Sequence, residues 1–142
     1  MRGSERRPVD FRFRIGARSR LFLRLAFGVR PDRDRVRIDE TVEVRFGYFR
    51  FRTELRNIRS YRIEGPWLWL TAIGVRRGLR HGDVSFAGSP RGGVRMDFHV
   101  PVRWSVFRVP AIYVGVEDLE GFARELRARG IEGIDGRRPG AR

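Results

Sequence analysis

The first half of the chain alternates apolar and polar residues with a period of two. The clearest run is Val9–Ile15, in which apolar residues alternate with Asp10, Arg12 and Arg14. Successive side chains of a strand point to opposite faces, so this pattern predicts a half-buried β-strand. Further strands are predicted over Arg20–Phe27, Val36–Asp39, Thr41–Phe46, Tyr48–Leu55 and Ser60–Glu64.

The second half continues the pattern with less regular spacing. Trp67–Val75 is apolar on both faces, which fits either a central strand or a short buried helix. Val84–Ala87 and Val94–Val102 predict a hairpin around the glycine-rich run Gly88–Gly93, and Ser105–Val116 predicts the last strand. With about seven strands and a turn about every ten residues, the pattern favours a β-sandwich or a β-barrel.

Asp118–Arg129 shows the apolar period of an α-helix instead. Its stripe repeats at i, i+3, i+4 and i+7, which predicts an amphipathic helix that packs on the sheet. Gly130 follows as the expected C-terminal glycine, and Ile131 stands where a Schellman ending makes its apolar contact. Gly121 is expected to let the helix lie close to the sheet. The stripe consists of Leu119, Phe122, Ala123 and Leu126, and the residues expected beneath it are Phe13, Leu23, Phe46 and Val114.

A chain of 142 residues has the length of one domain. Residues 1–8 and 131–142 are predicted to be flexible tails around a single domain that spans residues 9–130. The longest apolar run, Leu21–Val29, is broken by Arg24 and falls short of the ~20 residues of a membrane-spanning helix. No secretory signal is predicted. Because the chain has no cysteine, it offers no disulfide or thiolate chemistry, and this composition fits a cytoplasmic protein.

Charge is the most unusual property of the composition. The 31 basic residues are all arginine and outnumber the 17 acidic residues, which gives a net charge of +14. The two predicted tails carry about +2 and +1 of this charge, so about +11 belongs to the predicted domain. One explanation is a GC-rich genome, whose codons favour arginine over lysine. The other is a positive surface that attracts anions.

Arginines recur on the polar side of three predicted strands, and two interpretations stay open. In the first, these stripes form a solvated outer face whose guanidinium groups pair with nearby acids. In the second, they form a face that binds phosphate groups, which a planar guanidinium contacts through two parallel hydrogen bonds. The stripes are Arg12 and Arg14, then Arg33, Arg35 and Arg37, then Arg50 and Arg52, and the acids are Asp32, Asp34, Asp39, Glu43 and Glu54.

Several short segments resemble bacterial pleckstrin-homology (PH)-like domains. Val44–Arg50 running into Leu55–Ile58 is similar to a strand, turn and strand of that family. Val116–Phe122 is similar to the entry into its closing helix, and the resemblance covers about Phe11–Gly130. Further segments resemble uncharacterised proteins of high-GC actinobacteria: Gly65–Arg76, Gly93–Val94 and Val114–Val116.

The resemblance implies a mainly β fold, a seven-stranded PH-like barrel that the helix of residues 118–129 closes at one end. It implies no settled activity. In other PH-like domains, basic residues of the first hairpin bind phosphoinositide head groups, and Arg14, Arg18 and Arg20 stand at a similar place. Together with the stripes, the candidate anion-binding residues are Arg12, Arg14, Arg18, Arg20, Arg50 and Arg52.

The sequence shows no recognisable catalytic or metal-binding grouping. His81 and His99 have no partner at a metal-ligand spacing, and His99 is expected to face outward from a strand. The serines stand outside Gly-x-Ser-x-Gly, and the glycine-rich run matches no phosphate-binding or dinucleotide-binding loop. No catalytic residue, metal or cofactor is therefore predicted. Five aromatic residues are expected mainly in the core, with stacking on a ligand as the alternative: Tyr48, Phe49, Trp67, Trp69 and Trp104.

These observations favour a non-catalytic interaction or scaffold domain. Its arginines would bind a protein or an anionic ligand, either a phosphate-bearing molecule or an acidic lipid. One alternative is a non-specific nucleic-acid-binding protein, which would bind through phosphate contacts without a recognisable DNA- or RNA-binding motif. Another is a small-ligand enzyme with a pocket at the barrel mouth. Peripheral contact with an anionic membrane and the oligomeric state stay open.

Overall fold

A computed structural model of the chain describes residues 7–30, 33–65, 74–77, 84–87 and 92–136. Over these ranges the chain forms ten β-strands, two α-helices and one turn of 3-10 helix. In chain order the elements are β1 (Val9–Arg12), α1 (Ala17–Phe27), β2 (Arg35–Ile38), β3 (Thr41–Phe46), β4 (Phe49–Glu54), the 3-10 turn (Leu55–Asn57), β5 (Ile58–Glu64), β6 (Gly74–Arg77), β7 (Val84–Ala87), β8 (Gly93–Trp104), β9 (Phe107–Val114), α2 (Leu119–Ala128) and β10 (Gly133–Asp135).

The strands form two sheets. The first has the order β1-β2-β3-β4 and is antiparallel throughout. The second has the order β10-β5-β8-β9-β7-β6, with parallel pairing between β10 and β5 and between β7 and β9. The mainly β prediction is confirmed. The predicted closed barrel is not what the described strands form, because their ladders make two open sheets.

The core lies between the two sheets, which pack face to face. Phe46 of the first sheet meets Phe86 of the second with ring centroids 6.1 Å apart, and Phe51 meets Phe98 at 5.8 Å. Fully burying an apolar side chain of this size stabilises the fold by about 1.5–3 kcal/mol. The completely or almost completely buried residues include Leu23, Val36, Ile38, Val42, Val44, Phe46, Phe86, Val94, Met96, Ile112, Val114, Phe122 and Leu126.

Helix α2 begins and ends within one residue of the predicted bounds. The Asp118 side chain accepts a hydrogen bond from the backbone N–H of Gly121 at 2.9 Å, which caps the N-terminus. At the other end, Gly130 has φ +93°. The N–H of Ile131 donates to the carbonyl of Leu126 at 3.0 Å, which completes the Schellman ending. Phe122 and Leu126 are fully buried, as expected, while Leu119 is partly buried against the core.

The interior glycine of α2 has a different role from the predicted one. A Cβ atom at Gly121 would overlap the carboxylate of Asp118. The glycine therefore makes room for the N-terminal cap, and it is not the sheet that requires it.

The strand predicted over Arg20–Phe27 is wrong, and so is the prediction of a single helix. Residues 17–27 form α1, which ends at Gly28 in the left-handed conformation with φ +73°. Leucine, arginine and alanine are all good helix formers, so local propensity opposes the strand that the alternation suggests. Of the alternating leucines only Leu23 is buried, which removes the packing reason for a strand.

The pairing of the later strands also differs from the prediction. β7 pairs with β6 and β9, and β8 pairs with β5 and β9, so Val84–Ala87 and Val94–Val102 do not form a hairpin with each other.

The C-terminal segment also differs from its prediction. The sequence predicts a tail from residue 131, whereas Ile131 is buried and β10 pairs with β5. Most of the ambiguous Trp67–Val75 segment lies outside the described residues, and its last two residues begin β6.

Neither described helix combines the length and the hydropathy that crossing a bilayer requires.

Candidate anion-binding face

The outer face of the four-stranded sheet carries the candidate site. Along β3, Val42, Val44 and Phe46 point into the core, so the intervening Glu43 and Arg45 point outward. Directly opposite residues of an antiparallel sheet share a face, and their Cβ atoms lie about 4.5–5.5 Å apart. The outward positions therefore form rows that run across all four strands.

One of these rows consists only of arginines. Arg12 of β1 lies opposite Arg35 of β2. Arg35 in turn lies opposite Arg45 of β3, and Arg45 lies opposite Arg50 of β4. We call these four residues the arginine row. Like charges directly opposite each other destabilise a sheet, so the row acts against the stability of its own strands.

The next row along the same strands alternates in charge. It runs from Asp10 to Arg37, Glu43 and Arg52, and we call it the mixed row. Arg37 donates two hydrogen bonds to the Asp10 carboxylate, from Nε to Oδ1 at 2.7 Å and from Nη2 to Oδ2 at 3.0 Å. Arg52 Nε lies 3.5 Å from Glu43 Oε2. Every member of the mixed row therefore has a partner of opposite charge.

The charges of the mixed row lower the pKa of Asp10, its member on β1. The pKa of Asp10 lies below its ordinary value of 3.8, chiefly because Arg37 hydrogen-bonds to the carboxylate, with further attraction from the charges of Arg37 and Arg35. Desolvation opposes this effect only in part. The Asp10 pair is therefore ionised and satisfied at neutral pH.

The arginine row has far fewer partners. Arg35 Nη1 lies 3.6 Å from Asp10 Oδ2. Arg12, Arg45 and Arg50 make no ion pair with any residue that the structure describes. The Nε atom of Arg45 is buried and has no hydrogen-bond acceptor within that part of the chain. A buried donor without an acceptor costs about 1–3 kcal/mol.

The turn between β3 and β4 orients the last member of the row. Gly47 has φ +61°, and a Cβ there would overlap the carbonyl oxygen of Phe27 at the end of α1. Its N–H donates to the buried carboxylate of Asp34 at 3.0 Å, and the N–H of Tyr48 donates to Phe27 O at 2.9 Å. The carbonyl of Gly47 accepts a hydrogen bond from Arg50 Nη1 at 3.1 Å, which holds the Arg50 guanidinium beside the row.

A shallow cavity of about 300 Å³ opens over β2, β3 and β4. This volume lies at the lower end of the range for small-ligand sites. Its outward-facing lining residues are Arg35, Arg37, Glu43, Arg45, Arg50 and Arg52.

The structure brings some of the predicted site residues together and separates others. Arg12 and Arg50 belong to the arginine row, and Arg52 to the mixed row. Arg14 is half-buried away from them and donates from Nη2 to the carbonyl of Glu117 at 3.4 Å. Arg20 is exposed on α1. The side chain of Arg18 lies outside the described residues.

The most distinctive residue of the site, Arg45, is absent from the predicted set. It is a single arginine between Val44 and Phe46, so it belongs to no visible stripe. Alternation along β3 places it on the outer face, but only the pairing of β3 with β2 and β4 places it between Arg35 and Arg50. The sequence does not show the pairing register of the strands, and that register is needed to identify Arg45 as a site residue.

Of the acidic residues predicted to pair with the arginine stripes, some do so and others have different partners. Glu43 pairs with Arg52 as expected, while Glu54 pairs with Arg56 at 2.9 Å, outside the stripes. Asp34 is buried and accepts backbone hydrogen bonds, including one from the N–H of Arg30 at 2.7 Å. Asp32 lies outside the described residues.

None of the remaining candidates is a member of the arginine row. Trp104 is partly buried, packs on Phe49 with ring centroids 5.9 Å apart, and donates from Nε1 to the carbonyl of Arg50 at 2.8 Å. Tyr48 is exposed, and His99 is exposed as predicted. Among the described residues, His, Asp and Glu form no group of three that could hold a metal ion. The other predicted residues, His81, Trp67 and Trp69, lie outside the described ranges.

Comparison with protein-family models, curated proteins and solved structures found no significant match to this chain.

Proposed function

We propose that the protein is a non-catalytic interaction module that binds phosphate-bearing anions through the arginine row. The observation that carries this proposal is the alignment of Arg12, Arg35, Arg45 and Arg50 across four strands, with no acidic residue among them. A phosphate group accepts hydrogen bonds from several guanidinium groups at once, so it would neutralise the repulsion within the row.

Inorganic polyphosphate is the simplest probe for this proposal. The double variant Arg45→Gln/Arg50→Gln should weaken its binding at least about tenfold, because hydrogen bonds to charged groups contribute about 1.5–3 kcal/mol each and 1.4 kcal/mol corresponds to tenfold. Isothermal titration calorimetry at low salt measures the difference in Kd.

A matched control removes the same charge elsewhere. Arg56 and Arg124 are exposed, one in the 3-10 turn and one on α2. Arg56→Gln/Arg124→Gln should keep the Kd within about twofold of the wild type, because exposed charges contribute little individually. An equal loss of affinity in both double variants would refute a specific role for the row.

The nucleic-acid alternative predicts a different result in the same assay. Single-stranded RNA of arbitrary sequence would bind with a steep dependence on salt, and its affinity would follow total charge. RNA affinity that falls equally in the row variant and in the control would favour that alternative over the proposed anion site.

The finer fold class remains a proposal. A long antiparallel sheet region followed by the C-terminal α2 supports a PH-like classification, whereas α1 between β1 and β2 and the added β10 are departures from the predicted pattern.

A cytoplasmic location is supported by the cysteine-free sequence. The small-ligand enzyme stays an untested alternative.

A further inference from the structure

Helix α1 turns an apolar face away from the core. Leu23 is buried and Phe27 is partly buried, so this side of the helix packs on the sheets. Leu21 and Leu25, one helical turn apart, are 67% and 74% exposed, and Phe22 beside them is also exposed. A helix that packs on a core normally presents polar residues to the opposite side. The outward face of α1 does not follow this rule.

A second exposed apolar group lies at the turn between β8 and β9. Val106 is 83% exposed, and the neighbouring Phe107 is exposed as well. Trp104 lies opposite Phe107 across the hairpin, and Ser105 adopts φ +57°, which closes the tight turn between them.

A chain of aromatic rings connects the two groups. Phe22 contacts Phe27 with centroids 5.9 Å apart, Phe27 contacts Phe49 at 6.1 Å, and Phe49 contacts Trp104 at 5.9 Å. Helix α1 and the β8–β9 turn therefore flank the same end of the sandwich. We call this the apolar end, with Leu21, Phe22, Leu25, Val106 and Phe107 as its exposed members.

The charged residues of α1 and of the β8–β9 turn are all basic. Arg20 and Arg24 are exposed on α1, and Arg103 and Arg108 are exposed opposite each other beside the turn. Neither residues 17–30 nor residues 103–108 include an acidic residue. Exposed apolar side chains bordered by arginines are the pattern of surfaces that insert into anionic membranes.

We propose that the apolar end docks on an anionic lipid bilayer. Leu21, Leu25 and Val106 would enter the boundary between head groups and acyl chains, while the bordering arginines would contact lipid phosphates. The inference goes beyond the proposed function, because it uses no member of the arginine row. A second copy of the chain is a poorer occupant, since a two-fold interface would place the arginines of one border near those of the other.

Vesicle co-sedimentation tests the docking. The protein should bind vesicles of phosphatidylcholine mixed with phosphatidylglycerol and show much weaker binding to phosphatidylcholine alone. Leu21→Ser/Leu25→Ser should lower the partition coefficient at least about tenfold, because two apolar side chains no longer leave water on binding. Circular dichroism checks that this exposed double variant is folded.

The control uses exposed apolar residues elsewhere. Val100 and Ile134 are 62% and 55% exposed on β8 and β10, away from the apolar end. Val100→Ser/Ile134→Ser should leave the partition coefficient within about twofold. Equal losses in the two double variants, or no binding of the wild type to anionic vesicles, would overturn the proposal.

The absence of cysteine allows a direct readout of insertion. A fluorophore that is sensitive to polarity, attached at Leu25→Cys, should brighten and shift to the blue with anionic vesicles, whereas the same label at Val100→Cys should not change. A blue shift that depends on protein concentration without lipid would identify a second copy as the occupant and overturn the membrane assignment.

Polyphosphate separates the failure of this inference from that of the proposed function. Leu21→Ser/Leu25→Ser should keep the wild-type affinity for polyphosphate while losing the vesicles. If this variant lost both activities in a folded state, the apolar end would not be a separate surface.

Discussion

The arginine row and the mixed row occupy the same face of the same four strands, two residues apart, yet they differ in whether their charges have partners of opposite sign. In the mixed row each charge lies beside its opposite, and Arg37 holds Asp10 through two hydrogen bonds of 2.7 and 3.0 Å. In the arginine row four positive charges lie side by side, and Arg45 Nε has no acceptor within the described residues.

The two rows therefore differ in whether their charges are paired within the sheet. The mixed row is complete by itself at neutral pH. Under the proposed function, a bound anion would supply the negative charge that the arginine row lacks.

The largest expected effect distinguishes the two rows in a binding experiment. Glu43→Gln/Arg52→Gln removes one internally paired set of charges from the mixed row, so the Kd for polyphosphate should stay within about twofold of the wild type. Arg45→Gln/Arg50→Gln should raise the Kd at least about tenfold, as argued above. Comparable losses in both variants, measured by calorimetry at one salt concentration, would remove the distinction between the rows.

A smaller effect follows from converting one row into the other. Arg45→Glu places a carboxylate between Arg35 and Arg50, as Glu43 stands between Arg37 and Arg52. We expect the free energy of unfolding to rise by about 1 kcal/mol, because two like-charge neighbours become opposite-charge neighbours. Urea denaturation measures this change, and polyphosphate binding should be lost at the same time. A decrease in stability would show that the row does not strain the sheet.

The smallest effect concerns the pH dependence of the mixed row. Asp10→Asn should lower the free energy of unfolding by about 0.5 kcal/mol at neutral pH, since the pair is partly exposed to solvent. The pKa of Asp10 is lower in the folded state than its ordinary 3.8, so its contribution is present above that pH. It disappears as the pH falls through the folded-state pKa.

Urea denaturation of wild type and Asp10→Asn at neutral pH and well below pH 3.8 checks this prediction. The stability difference should close in acid, because a protonated Asp10 no longer attracts Arg37. A difference that persists unchanged in acid would mean that packing, and not charge, makes Asp10 important.

Local signals in the sequence predict those parts of the fold that local physics decides. Strand β3 matches its predicted bounds Thr41–Phe46, because its alternation coincides with β-branched and aromatic residues. Helix α2 matches because its apolar stripe and Gly130 indicate the same element. Helix α1 was harder to predict, since its alternating leucines carry the period of a strand on residues that prefer a helix.

The candidate site needed information that no single strand contains. Arg12 and Arg50 can be found as members of stripes, but the row exists only through three pairing registers. The apolar end is likewise a tertiary feature, because the strand predicted over Arg20–Phe27 would place Leu21, Leu23 and Leu25 on one face. Burial of Leu23 without Leu21 and Leu25 depends on how α1 packs on the sheets.

Gly47 connects the end of α1 with the arginine row through one backbone position. Phe27 O occupies the position that a Cβ atom of Gly47 would take, and the carbonyl of Gly47 accepts a hydrogen bond from Arg50. In a genetic screen, alleles of Arg45 or Leu25 would each impair one surface of the protein. Alleles of Gly47 would be pleiotropic, because any side chain there displaces the helix end and the guanidinium anchor together.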